Sequence, residues 1–113
     1  MKDSSRIFAP ISDTVESHPE PGMQRRVLAY NQNVMLVRHL LTKGWKGLSH
    51  SHPHEQLVYV VTGCILFTAD GRNVDMHSGD CIVVEGDVEH QATALDDSEV
   101  LDIFVPYRRE YAD

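Results

Sequence analysis

The sequence predicts an all-β fold in which short strands form a sandwich or a barrel. Apolar segments rich in Val, Ile, Leu and aromatic residues recur along the chain, and turn signals separate them about every eight to twelve residues. No stretch shows the 3.6-residue apolar period of an amphipathic helix. Short strands at such regular spacing are typical of β-sandwiches and β-barrels.

Length, charge and cysteine usage narrow the class of protein. The chain has 113 residues, which predicts a single domain with a modest core. The formal net charge of −7 gives no electrostatic support for a nucleic acid or an anionic membrane as partner. The sequence shows neither a signal-peptide core nor an apolar run of membrane-spanning length. Cys64 and Cys81 lie in apolar segments, so we expect reduced thiols and a cytoplasmic protein.

Residues 1–24 are expected to form an N-terminal arm, and residues 25–113 a single β domain. Proline and polar residues are frequent in the arm, which favours irregular structure with one short strand at residues 6–11. The apolar runs begin after Arg25 and continue to Pro106, and a polar tail follows.

Eight further strands are expected in the β domain. They cover residues 26–30, 34–41, 57–62, 64–69, 73–77, 81–84, 90–95 and 100–105. Polar or glycine-containing turns separate these runs, and Asp70-Gly71 is a strong hairpin signal. Domains of this kind hide their sheet edges by closure or by association, so we expect a homodimer.

A cluster of histidines precedes the strand at residues 57–62. In an extended segment, residues two apart point to the same side, so His50 and His52 can share one ion. His54 is expected to face away because it follows Pro53. Gln56 lies at an even offset from His52 and should point inward. One strand cannot surround an ion, and His90, at the start of a later strand, is the best candidate from elsewhere in the chain.

These residues resemble the two sequence motifs of the cupin superfamily. The first motif is matched by Gly44, His50, His52, Gln56 and Gly63, with Gln56 in place of the usual acid. The second motif is matched by Gly79 and His90, whereas Glu85, Asp87 and Ala94 replace its usual proline, glycine and asparagine.

The resemblance implies a cupin double-stranded β-helix, or jelly-roll, barrel of the small single-domain cupin 2 type. It also implies one divalent transition-metal ion as cofactor. By carry-over from the motifs, the metal ligands would be His50, His52, Gln56 and His90. Nickel, iron, manganese, zinc and copper all suit such a set of imidazole and amide ligands.

A closer resemblance is to small cupins related to pectin-degradation proteins, which open unsaturated uronate sugars. Those proteins share H-P-H-E-Q and a D-x-F-x-P stretch, in which Asp102 and Phe104 occupy the named positions here. The resemblance implies that Asp102 is catalytic and that Phe104 lines the substrate pocket. Cys64 replaces the arginine that follows the first-motif glycine in that subfamily, and Arg38, on a neighbouring strand, is the expected substitute for binding a substrate carboxylate.

The expected function is a metal-dependent lyase or isomerase that acts on a small oxygenated substrate such as a sugar acid. The ion would act as a Lewis acid, and Asp102 would move a proton. Two alternatives stay open. Three imidazoles also suit iron, which would make the protein a dioxygenase, and a cupin can bind a small molecule without catalysis.

Overall fold

The computed structural model describes residues 5–112, and its regular structure is almost entirely β-strand. In chain order the strands are β1 (Glu16–Glu20), β2 (Met23–Tyr30), β3 (Met35–Leu41), β4 (Glu55–Thr62), β5 (Cys64–Ala69), β6 (Arg72–His77), β7 (Cys81–Val84), β8 (His90–Ala94) and β9 (Ser98–Val105). Two short 3₁₀ turns, Ile11–Asp13 and Arg109–Tyr111, flank them. Within residues 5–112 no helix is long and apolar enough to cross a membrane. The all-β prediction is confirmed.

The strands form two antiparallel sheets that pack against each other. The larger sheet has the strand order β1-β2-β3-β9-β4-β7, and the smaller has the order β6-β5-β8. Both sheets contribute to one apolar core, with Val58, Val60 and Val100 from the larger sheet and Ile65 and Phe67 from the smaller. This double-sheet arrangement confirms the predicted jelly roll, although the strands between residues 5 and 112 remain two sheets and do not close into one continuous barrel.

β4 has one face in the core and the other in solvent. Gln56, Val58 and Val60 are buried, whereas Leu57 and Tyr59 are 37% and 39% exposed. Side chains alternate between the two faces of a strand, so each second residue of β4 enters the core. The inward position of Gln56 is therefore as the sequence predicts.

The N-terminal arm is partly built into the larger sheet. β1 pairs with β2 at the edge of the sheet, a position that tolerates the missing N–H of Pro19. Pro21 and Gly22 form the connecting turn, in which Gly22 has a positive φ of 83°. The prediction of a strand at residues 6–11 was wrong, because β structure in that stretch is limited to an isolated bridge between Arg6 and Tyr30. Residues 1–4 of the expected arm lie outside the described range.

The segment between β3 and β4 carries the histidine cluster and runs beside β8. Lys46 forms an antiparallel bridge to Thr93, and His50 forms one to His90. The backbones of His50 and His90 exchange two hydrogen bonds, of 3.0 and 2.9 Å. These bridges attach the segment to the smaller sheet, while β4, which continues it, belongs to the larger sheet. The candidate ligands therefore lie where the two sheets meet.

Candidate metal centre

Three histidines converge on one point, and we call His50, His52 and His90 the histidine triad. Each offers a ring nitrogen, and these nitrogens all lie within 4.8 Å of one another. The ring centroids of His50 and His90 are 4.4 Å apart, and those of His52 and His90 are 4.9 Å apart. His52 and His90 are buried, while His50 is open to solvent. The structure thus brings together the three histidines that the spacing singled out.

Backbone carbonyls orient all three rings in the same way. The contacts are His50 Nδ1 to Leu48 O at 3.0 Å, His52 Nδ1 to His54 O at 3.1 Å and His90 Nδ1 to Val88 O at 2.8 Å. A carbonyl oxygen only accepts, so each Nδ1 carries the hydrogen and each Nε2 keeps a free lone pair. The Nε2 atom of His90 is buried and has no hydrogen-bond partner among the described residues. This is the arrangement in which metal-binding histidines are held.

Gln56 adds an oxygen beside the triad. Its amide nitrogen donates to Asp102 Oδ1 at 2.7 Å, which leaves its amide oxygen 3.0 Å from Nε2 of His52. Both of these atoms are acceptors, so their lone pairs repel unless a cation lies against them. Two ligands bound at about 2.1 Å from one ion, at a right angle, lie about 3 Å apart. The donor set fits a bound metal ion.

The surroundings favour the metal-binding form of two triad members, His52 and His90. Burial lowers the pKa of His52 below 6.5, and the positive charge of Arg108 lowers it further. Burial likewise lowers the pKa of His90. Neutral imidazole is the metal-binding form, so fewer protons compete with an ion at neutral pH.

One cavity of about 390 Å³ opens beside the triad. Its walls include five of the residues singled out from the sequence, namely His50, Gln56, His90, Asp102 and Phe104. Asp102 is only 6% exposed and accepts hydrogen bonds on both oxygens, from Gln56 and from Nδ1 of His39 at 2.7 Å. Phe104 packs edge-on against the ring of His52, with 5.9 Å between centroids. The cavity therefore joins the candidate metal site to a carboxylate and an aromatic wall.

Two arginines bring positive charge to this cavity, and neither was predicted from the sequence. The guanidinium of Arg108 lies over the rings of Phe104 and Tyr111, 5.2 and 4.4 Å from their centroids. The guanidinium of Arg25 lies 4.1 Å from the centroid of Tyr111. Arg108 also pairs with the exposed Glu110 at 2.7 Å. The tail that seemed merely polar thus returns over the cavity and brings a guanidinium to its wall.

Arg38 does not reach the cavity. Alternation along β3 turns His39 inward and Arg38 outward, where its guanidinium forms an ion pair with Glu99 at 2.7 Å. His54 stays outside the group that could hold an ion, with its ring 5.4 Å from that of His52. A carboxylate-binding role therefore fits Arg108 better than Arg38.

His39 could have been found from the sequence. It occupies the third of four alternating positions on β3, after Met35 and Val37 and before Leu41, all of which are buried. A polar residue on the buried face of a strand needs a partner, and Asp102 lies on the same inward face of β9, two residues along from the direct partner of His39. Arg25 and Arg108 carried no such signal, because their side chains reach the cavity from a half-buried strand and from the tail.

Comparisons with known proteins support the cupin family to which the sequence motifs pointed. The chain matches the Cupin_2 family, described as a cupin domain, over residues 37–105. It is 27% identical over 92 residues to the pectin degradation protein KdgF of Dickeya dadantii (strain 3937), a match covering 80% of this chain and 84% of that protein. The solved structure of KdgF from Halomonas sp. is 32% identical, with a TM-score of 0.85 and coverage of 91% of this chain and 97% of that one. An RmlC-like cupin from Shewanella frigidimarina NCIMB 400 is 30% identical, with a TM-score of 0.90 and coverage of 96% and 97%.

The first prediction concerns metal content. Wild-type protein is expected to bind about one divalent ion per chain, and His50→Ala/His52→Ala to bind none, because two of three imidazoles are removed. Free ion at a hundredfold excess over its Kd should stabilise wild type by about 2.7 kcal/mol and leave the variant unchanged. Elemental analysis and thermal unfolding with and without Ni²⁺ measure both effects. His77→Ala, at an exposed histidine of β6, is the matched control, and equal metal content in all three proteins would refute the site.

The second prediction concerns pH and the metal-free protein. The pKa values of His52 and His90 lie below 6.5 in the folded state and near 6.5 in the unfolded chain. Below pH 6.5 the unfolded chain therefore binds protons that the folded protein does not, so the free energy of unfolding should fall as the pH drops from 7 toward 5. Urea unfolding across this range measures the slope. His90→Gln should make the slope shallower and His77→Gln should not, and identical slopes would contradict the prediction.

Proposed function

This chain belongs to the cupin domain family, and from that premise we propose that it is a metal-dependent lyase or isomerase acting on a small sugar acid. One observation carries the proposal. The buried carboxylate of Asp102 faces a single cavity that also holds two triad histidines and the guanidinium of Arg108. A site of this composition combines an electrophilic centre, a proton-transfer group and a carboxylate-binding group. The cavity volume lies within the range of small-molecule sites, about 300–1,000 Å³.

The candidate ligands are the histidine triad and the amide oxygen of Gln56. Their neutral nitrogen and oxygen donors suit nickel, iron, manganese, zinc or copper in the divalent state. When bound, the ion would supply Lewis-acid polarisation of substrate oxygens. His50, the exposed member of the triad, lines the cavity, so a substrate in the cavity would lie beside it.

Arg108 is proposed to bind the substrate carboxylate. A guanidinium offers a planar pair of N–H donors that matches a carboxylate. Phe104 and Tyr111 hold its position by cation–π contacts and form an apolar wall for a sugar ring. In the free protein the carboxylate of Glu110 occupies the guanidinium. A substrate carboxylate would exchange with it, and the exposed Glu110 side chain would be released to solvent.

Asp102 is proposed to move the proton. In the opening of an unsaturated cyclic uronate, a carboxylate oxygen of Asp102 would take the proton of the hemiacetal hydroxyl as the ring C–O bond breaks. The hemiacetal carbon would become an aldehyde, and the ring oxygen would leave as an enolate. Asp102 would then deliver the same proton to the enolate carbon, which gives a ketone. The steps balance as an isomerisation and need no further reactant. The similarity to pectin degradation protein KdgF supports this substrate class for the present chain.

The third prediction separates the roles of these residues at saturating metal. Asp102→Asn should lower kcat on an unsaturated uronate roughly a hundredfold or more, because general acid–base catalysis supplies at least that factor. Arg108→Met should chiefly raise KM, because it removes a binding contact. The outward-facing Arg38→Met is the control and should match wild type. Loss of the absorbance of the conjugated double bond follows the reaction.

Other outcomes of that assay would redirect the proposal. Oxygen consumption with bound iron would indicate a dioxygenase. Tight binding of the uronate without turnover would indicate a small-molecule-binding protein. Full activity of Asp102→Asn would remove the proposed proton-transfer role.

We also propose that the protein is a homodimer in the cytoplasm. Cys64 and Cys81 are both unpaired, which suits a compartment that keeps thiols reduced. The outer face of the larger sheet exposes the apolar side chains of Leu57, Tyr59 and Val83, of which Val83 is 57% exposed. Leu57 and Val83 are direct cross-strand partners, so these residues form one continuous patch. A patch of this kind is suited to association with a second copy.

The fourth prediction tests the dimer. Tyr59→Lys/Val83→Glu should convert a dimer to a monomer in sedimentation velocity, because it places charges in the apolar patch. Val74→Glu, at a 41% exposed position of β6 in the smaller sheet, is the control and should remain dimeric. A monomeric wild-type protein at micromolar concentration would contradict the proposal.

A further inference from the structure

We propose that Arg25 and His39 are positioning residues that, through Asp102, decide which atom of Gln56 faces the histidine triad. The inference rests on the metal site proposed above. The side chains of Arg25, His39, Asp102 and Gln56 form a continuous hydrogen-bond chain along the cavity wall. Its contacts are Arg25 Nε to His39 Nε2 at 3.0 Å, His39 Nδ1 to Asp102 Oδ2 at 2.7 Å and Gln56 Nε2 to Asp102 Oδ1 at 2.7 Å.

The donors and acceptors of these groups allow only one direction for the hydrogen-bond chain. The guanidinium of Arg25 has only donors, so His39 accepts at Nε2 and carries its hydrogen on Nδ1. The carboxylate of Asp102 only accepts, so it receives this hydrogen at one oxygen and the amide N–H of Gln56 at the other. The amide oxygen of Gln56 is then the atom left to face His52, at 3.0 Å.

Burial keeps water from replacing these contacts. His39, Gln56 and Asp102 are 7%, 9% and 6% exposed. An unpaired polar group is costly in such surroundings, so each member of the chain is held by its neighbour. Arg25 is held in turn, because its guanidinium stacks on the ring of Tyr111. A change at His39 therefore reaches the metal site without any direct contact to it.

The same hydrogen-bond chain explains why position 56 holds an amide and not the acid of the family motif. A glutamate would place a carboxylate oxygen where Nε2 of Gln56 lies, 2.7 Å from Asp102 Oδ1. Two buried carboxylates at that distance repel each other. Gln56 and Asp102 are therefore a matched pair, in which the carboxylate selects the amide and turns its oxygen toward the triad.

The first test reads metal affinity with Ni²⁺ alone, by competition titration. His39→Leu removes the donor to Asp102 and should weaken Ni²⁺ binding roughly tenfold or more, as loss of an outer hydrogen bond commonly does. His39→Asn keeps an N–H near the position of Nδ1 and should stay within about threefold of wild type. His77→Leu is the control and should not change the affinity. Wild-type affinity in His39→Leu, or equal losses in the Leu and Asn variants, would overturn the proposal.

A second measurement needs no variant. The ¹⁵N NMR spectrum of the metal-free wild type should show His39 as a single tautomer with the hydrogen on Nδ1 and a lone pair on Nε2. A spectrum with the hydrogen on Nε2, or with both tautomers averaged, would contradict the proposed direction of the hydrogen-bond chain.

The pairing of Gln56 with Asp102 is tested by exchanging amide and acid in the metal-free protein. Gln56→Glu alone should raise the unfolding equilibrium constant roughly tenfold or more, because it creates the carboxylate pair. Adding Asp102→Asn should restore most of the stability that Gln56→Glu removes. Strictly additive effects would refute the pairing. None of these readouts uses turnover, so a protein that passes them but leaves uronates untouched would contradict the proposed reaction and not this inference.

Discussion

Five polar side chains lie buried in the middle of a small apolar sandwich, and the need to give each a partner organises the site. These are His39, His52, Gln56, His90 and Asp102, all of them under 10% exposed. A buried polar atom without a partner is destabilising, so most of them bond to one another or to backbone carbonyls. The exceptions are instructive. Nε2 of His90 has no partner among the described residues, and Nε2 of His52 meets another acceptor. A bound cation would satisfy both at once.

Strand pairing in the larger sheet brings Asp102, His39 and Gln56 together. β9 lies between β3 and β4 in the larger sheet, and Asp102 is paired with Val37 on one side and Val58 on the other. His39 and Gln56 stand two residues from these partners, on the same inward face, which is within reach of a diagonal contact. The backbone bridge between His50 and His90 then fixes the triad against the smaller sheet. Shifting the register of β9 by one residue would turn Asp102 to the outer face.

The sequence was sufficient for the parts of the site that depend on local periodicity. Alternation along β4 predicted the inward position of Gln56, and the spacing of His50 and His52 predicted two imidazoles on one side. His90 was the best candidate for a further ligand because it begins a later strand, and the family motif supported this choice, since nothing local fixes the distance between residues so far apart in the chain. The resemblance also supplied Asp102, on a strand that otherwise looks fully apolar.

The remaining parts depend on long-range packing. Arg108 reaches the cavity because the tail turns back over Phe104, and a polar tail gives no sign of that direction. Arg38 was expected near the substrate because it lies on a strand that neighbours the site. Side-chain alternation along β3 instead turns it outward, toward Glu99. β1 escaped prediction because Pro19 interrupts it, although Pro21-Gly22 marked the turn that follows. In each case the position of the residue or strand depends on contacts with a part of the sequence that local patterns do not reveal.

The central claim is that the histidine triad and the amide oxygen of Gln56 bind one metal ion. A crystal structure of the Ni²⁺-loaded protein with anomalous diffraction data tests it most directly. We expect one anomalous peak about 2.1 Å from Nε2 of each triad histidine and from Oε1 of Gln56, with the Gln56 nitrogen still hydrogen-bonded to Asp102. An anomalous peak elsewhere, or none at the triad under conditions where the protein retains Ni²⁺, would contradict it.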